Sequence, residues 1–127
     1  MAQFKIQFPH LQAVKRPCFV YLFTTEKELV PQKCKIGITT QLTNRLSKVE
    51  HSSGHKLYVH HIIPCESEGQ ARALEQSLHR LYWQQRLKGE WFFLSITDIE
   101  TISECRSTQH LLEKYNDGDF HRSNQAA

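Results

Sequence analysis

The sequence predicts an α/β domain: a small three-stranded antiparallel sheet flanked by helices. Three observations support this. Residues 18–24 and 33–38 are runs of β-branched and aromatic types on either side of a turn-prone stretch, 26–31, and read as a hairpin. Residues 57–64 form a third run of the same character. Between and after these runs, apolar residues recur at helical rather than strand spacing.

The elements follow in chain order. In residues 1–16, an N-terminal extension, Phe4, Ile6 and Phe8 alternate with Lys5 and Gln7 before Pro9, the pattern of a short extra strand. After the hairpin, Leu42, Leu46 and Val49 at i, i+4 and i+7 predict a helix from about residue 41 to 50. Strict alternation in the third strand puts Tyr58, His60 and Ile62 on one face and Val59, His61 and Ile63 on the other. Ser67 and Gln70 have capping-box spacing and open a long helix to about residue 88, ended by Gly89. Its stripe is Ala71, Leu74, Leu78, Leu81 and Tyr82, with Glu75 on the same face. Residues 91–94 read as a short apolar segment, and Ser95 or Thr97 caps a final helix through Ile99, Ile102 and Leu111 or Leu112. The expected organisation is an extension at 1–16, a core domain at 17–95, a packed C-terminal helix at 96–115 and a polar tail at 116–127.

A chain of 127 residues has room for one modest core, and 39% hydrophobic with 23% charged residues argues against global disorder. The net charge of +3 permits phosphate binding without requiring it. No apolar run approaches the roughly 20 residues of a membrane span, and the N-terminus lacks the features of a secretion signal, so an intracellular location, cytoplasm or nucleus, is expected. Cys18, Cys34, Cys65 and Cys105 form no Cys-x-x-Cys pair and read as reduced core thiols; Cys18 and Cys34 are placed to face each other across the hairpin.

Several residues stand out chemically. Tyr21 shares a strand face with Phe19 and Phe23, and Lys35 shares one with Gly37 and Thr39. If those faces coincide, the ammonium of Lys35 favours ionisation of the Tyr21 phenol; otherwise Tyr21 is an ordinary sheet aromatic and Lys35 a solvated edge residue. Gly37 suits a close approach of backbone or substrate, or a bulge. Arg45 lies one step off its helix stripe, where it offers a planar fork to a phosphate or is simply solvated. Glu75 on an apolar stripe must be paired, protonated or metal-bound. A hard Mg²⁺ ion is satisfied by one or two carboxylates, waters and substrate phosphate, whereas the bland partners for Glu75 are Arg72, Lys35 or His79. Glu75 and His79 share a helical face, but a zinc site needs three or four ligands. Trp91 packs the core or closes the pocket.

The segments Phe19-Val20-Tyr21, Lys35-Ile36-Gly37, Asn44-Arg45-Leu46, Ala73-Leu74-Glu75-Gln76-Ser77-Leu78-His79 and Gly89-Glu90-Trp91-Phe92, in that order, resemble the GIY-YIG nuclease superfamily. The similarity runs from about residue 18 to 94 and is closest to the small stand-alone branch with a Lys-Ile-Gly second motif and a Gly-Glu-Trp-Phe end. It implies Mg²⁺ (or Mn²⁺)-dependent hydrolysis of DNA phosphodiester bonds by in-line attack of water. Tyr21 would be the base, Arg45 would stabilise developing charge, Glu75 would hold the metal, and Gly37 and Thr39 would line the substrate. His51 matches a position where several members carry a histidine. The chain departs from the pattern at Lys35, which stands where the second motif has its tyrosine. A rival reading is a weak or inactive relative that binds nucleic acid or a protein partner. A domain this small has little surface for reading a long site, so a homodimer or a protein partner would supply specificity.

Overall fold

The computed structural model describes residues 17–106. The hairpin forms as expected, with strand β1 at Cys18–Thr24 and β2 at Gln32–Thr39. The buried Gln32 side chain ties the connecting loop: its Oε1 accepts from the Glu26 N–H at 2.7 Å, and its Nε2 donates to the Glu28 and Val30 carbonyls at 2.9 Å. Helix α1 spans Leu42–Ser53 and ends on Gly54, whose φ of 73° gives a left-handed cap. Strand β3 is Tyr58–Cys65, α2 is Glu68–Leu81 and α3 is Ile96–Glu104. Ser67 caps α2 by accepting from the Gln70 N–H, and Ser95 caps α3 in a full box with Asp98.

The sheet has five strands, not the three expected. The long helix predicted to residue 88 stops at Leu81; a 3₁₀ turn at Trp83–Gln85 follows, then β4 at Arg86–Lys88 and β5 at Trp91–Leu94. The apolar stripe explains the stop, because it ends at Tyr82 and nothing after that holds the helix against the core. Residues 86–88 pair with β5 instead, and tertiary pairing overrides local propensity. Gly89 therefore serves a different purpose from the one expected. It is not a helix end but the turn between the last two strands, at φ 57°, where the Arg86 Nε donates to its carbonyl at 2.6 Å. The predicted strand within 1–16, and the continuation of the last helix toward 115, lie outside the described residues.

The strand order is β3-β1-β2-β5-β4 with every pairing antiparallel. A bulge between Leu22 and Phe23 breaks the expected alternation of β3: Ile62 faces Tyr21, but after the shift Val59 faces Phe23, so both fall on one face. One sheet face carries Val20, Leu22, Cys34, Ile36, Phe92 and Leu94 against Leu74 and Leu78 of α2 and Ile99 and Ile102 of α3. The other carries Tyr21 and Phe23 with Leu42 and Val49 of α1. Cys18 lies opposite Cys65, not Cys34, and burial pushes the Cys34 and Cys65 thiols up to about 12 and 11, which makes them poor nucleophiles.

The register Tyr21↔Gly37 answers whether the two strand faces coincide: they do. A Cβ at position 37 would sit 2.6 Å from Tyr21 Cζ and 2.9 Å from Glu90 Oε1, so the absent side chain is what lets the ring lie on β2. Gly37→Ala should therefore displace the ring and lower stability by about 1–3 kcal/mol, the usual cost of overpacking. An unchanged urea midpoint would show that the ring has room to spare.

Candidate functional site

Tyr21 is 1% exposed, stacked on Phe23 with ring centroids 3.9 Å apart, and its hydroxyl lies over Gly37 at the point that Glu90 also approaches. Glu90 reaches this place because β5 begins only at Trp91, opposite Lys35, while the Glu90 carbonyl accepts from the Ile36 N–H at 3.0 Å. Beyond that bond the outer edge of β2 leaves the β5 ladder. His79 of α2 meets this edge, its Nε2 2.9 Å from the Ile36 carbonyl. One turn earlier in α2, Glu75 is 7% exposed among Ala71, Leu74 and Leu78, as its stripe position requires.

Glu75 has found a partner none of the bland readings named. Its carboxyl is hydrogen-bonded to Glu90, and burial, that bond and the Glu90 charge, in that order, push its pKa up to about 7; Arg72 and Lys35 oppose the rise. Arg72 itself pairs with Glu68 at 2.9 Å. The Lys35 ammonium sits 3.5 Å from Glu90 Oε1 and 5.4 Å from the Trp91 ring centroid. It is thus the counter-ion of Glu90 rather than of a phenolate. The phenol is not pushed toward ionisation: burial, Glu90 and Glu75 raise the Tyr21 pKa, and the cation that opposes them is Arg45.

Tyr21, Lys35, Gly37, Arg45, Glu75 and Glu90 therefore act on one another across β1, β2, α1, α2 and the β4–β5 turn. Arg45 lies near the start of α1, exposed, and makes no ion pair or side-chain hydrogen bond among the described residues. Thr39 is on the same strand face as Gly37, but its hydroxyl accepts from the Gln41 N–H at 3.0 Å and so leads into α1. His51 does not join the group. Six residues beyond Arg45, it lies about 9 Å along the helix and roughly 120° around it, exposed in the last turn. Glu90 is the residue that sequence reasoning missed; it was visible only as the second letter of Gly89-Glu90-Trp91-Phe92, with nothing to say that the turn would bring it to Glu75.

Among the described residues no cluster of three or more His, Cys, Asp or Glu side chains could hold a metal. The donors available are two facing carboxyls, one of them buried and holding its proton against the other. Such an oxygen-only set suits a hard divalent cation that keeps most of its waters, and does not suit zinc.

The T5orf172 domain family model matches residues 18–108, most of the chain, and the chain belongs to that family. The family is related to GIY-YIG and HNH-like endonuclease domains and is associated with nuclease-like function. No curated protein and no solved structure matches the chain. No helix among the described residues is long and apolar enough to cross a membrane.

The Glu75–Glu90 pair has a measurable signature without any ligand. Glu75 keeps its proton to about pH 7 in the folded state but releases it near 4.5 when unfolded. Between those values the folded state binds more protons, so this contribution to stability is complete below about pH 4.5 and is lost as pH rises through 7. Metal-free protein should lose more stability than Glu75→Gln between about pH 5 and pH 8 in urea titrations, since the difference isolates this carboxyl from other titrating groups. Parallel pH profiles for the two proteins would contradict the shared proton.

Proposed function

We propose that this T5orf172-domain protein is a metal-dependent endonuclease that hydrolyses DNA phosphodiester bonds, with a GIY-YIG-type site. The observation that carries the proposal is the convergence of a phenol, a guanidinium and a buried carboxyl from three separate elements onto the open edge of β2. Glu75, with Glu90 beside it, would hold Mg²⁺ or Mn²⁺, which when bound supplies Lewis acidity toward a phosphate oxygen and offsets the carboxylate charge now holding the Tyr21 proton.

The chain's own groups divide the remaining work. Tyr21 takes the proton of the attacking water, and Arg45, the cation that already favours its ionised form, is placed to help it do so. The same guanidinium offers two parallel N–H donors to the oxygens on which charge develops during in-line displacement. Gly37 leaves the phenol in contact with the strand edge, so the scissile phosphate approaches backbone rather than a side chain. Lys35 holds Glu90 in position and does not replace the second tyrosine of the motif. The rival, a non-cleaving scaffold that binds nucleic acid or a protein partner, draws on one observation: Glu75 is already satisfied by Glu90 and needs no cation to be buried.

Cleavage of supercoiled, linear, branched and single-stranded DNA, with and without Mg²⁺, separates the two. Under the proposal, Glu75→Gln folds normally and loses cleavage by at least about 10²-fold at any Mg²⁺ concentration. Parent-level cleavage by that variant would remove Glu75 from the metal. Arg45→Lys should slow the single-turnover rate by about 10²-fold with little change in DNA affinity, because a point charge does not reproduce the fork. A matching loss of affinity at constant rate would make Arg45 a ground-state phosphate anchor.

A further inference from the structure

The face of the sheet that carries Tyr21 continues past the site, and its far half is bare. Cross-strand partners share a face, so Phe23, Lys35, Trp91 and Lys88 form one row across β1, β2, β5 and β4. Lys33 and Phe93 form the next. Helix α1 packs over Tyr21 and Phe23 through Leu42 and Val49, and Trp91 is only half-buried at the margin of that cluster. Beyond it, Phe93 is 49% exposed, and no described element packs on it. The Lys33 ammonium stands 5.6 Å from the Trp91 ring centroid, and Lys33 and Lys88 are exposed, with no ion pair among the described residues.

We infer that this Trp91–Phe93 face, edged by Lys33 and Lys88, is a stacking shelf for unpaired nucleotides, and that the site acts on a strand whose bases beside the scissile phosphate are unstacked. The inference deepens the nuclease reading and rests on it for its purpose, which is to lead a strand to Tyr21 and Arg45. Two aromatic rings of alternate residues on one strand face, beside cations rather than carboxylates, match what an unpaired strand presents: flat π-faces on one side and phosphates on the other. A duplex hides its base faces and has no use for an exposed ring on a sheet. An apolar protein partner would be poorly matched, since lysines flank both rings. Position fits as well. Gly37 and Lys35 are alternate residues of β2, about 7 Å apart, so the shelf begins one residue pair from the Tyr21 hydroxyl.

The test uses the full chain as Glu75→Gln, in chelator, so that binding is read without cleavage. Trp83→Phe is added to leave Trp91 as the only indole. A short single-stranded oligodeoxynucleotide should quench Trp91 emission, and the same sequence as a duplex should not. Phe93→Ala, a surface change that spares the core, should weaken single-strand binding by about 5- to 100-fold and leave duplex binding unchanged. Lys33→Ala should reduce the slope of log affinity against log salt by about 0.7, one released counter-ion on a single strand. The shelf is overturned if Phe93→Ala binds the single strand like its parent, if Trp91 emission does not respond at saturation, or if the duplex quenches equally. Sedimentation adds a further check: self-association abolished by Phe93→Ala, with strand affinity intact, would assign this face to a second copy. If the otherwise unsubstituted protein fails to cleave any DNA while the quench and the Phe93 dependence persist, the nuclease reading falls and the shelf stands. Cleavage with strand affinity indifferent to Phe93 removes the shelf and leaves the nuclease reading in place.

Discussion

The contact between the Tyr21 ring and the bare backbone of Gly37 is the constraint on which the rest of the site depends. A sheet strand ordinarily holds a neighbouring ring away by the thickness of a side chain; here there is none. The phenol therefore lies flat on β2, fixed from one side by Phe23 and from above by the α1 cluster, with no freedom to swing out. Because the hydroxyl is held at the edge of β2, everything that interacts with it must come to that edge: Arg45 from the start of α1, Glu90 from the turn before β5 and Glu75 from α2. The price of a buried phenol beside two carboxyls is a proton that is hard to remove. A resting site with that bias is guarded, since the base gains strength only when positive charge arrives.

The same logic explains why a glutamate is tolerated on the buried stripe of α2. An ionised lone carboxylate there would be costly, but a carboxyl that shares its proton with Glu90, itself neutralised by Lys35, is hydrogen-bonded and close to neutral. Among the described residues no buried side-chain nitrogen or oxygen lacks a hydrogen-bond partner. The chain Glu75–Glu90–Lys35–Trp91 thus links the buried helix to the exposed sheet face through polar contacts only. It also gives the lysine at the second-motif position a physical reason to be there: a tyrosine would leave Glu90 without its cation.

Much of this could be read from the chain, and the parts that could not share one cause. Period-2 and period-3.6 patterns located the hairpin, all three α-helices and the buried face of α2, because those signals are local. Tyr21 and Lys35 were matched to one face by alternation alone, and the register bears that out. What failed was non-local. β4 and β5 are three and four residues long, too short to show a period, and the first was absorbed into the preceding helix because its residues form helices readily when nothing pairs with them. The bulge in β3 shifted every face assignment on one side of it. Glu90 and the true partner of Lys35 were hidden for the same reason, since both depend on where a turn closes. The absence of charge coupling between Lys35 and Tyr21 follows from Glu90 standing nearer to the lysine.

The two margins of the sheet differ in a way that bears on assembly. At one side β4 is three exposed residues, Arg86, Leu87 and Lys88, with an irregular register against β5. A neighbouring chain would find almost no ladder to extend there, and two cations to repel a copy of itself. At the other side β3 is longer, eight residues, but Pro64 offers no N–H and the bulge beside His60 twists the strand out of register. Neither margin is a template for edge-to-edge growth. A protein with an exposed aromatic face needs such protection, because a flat apolar surface beside an open strand is the usual start of uncontrolled β-association; closing both margins lets the face remain uncovered in a monomer that does not polymerise.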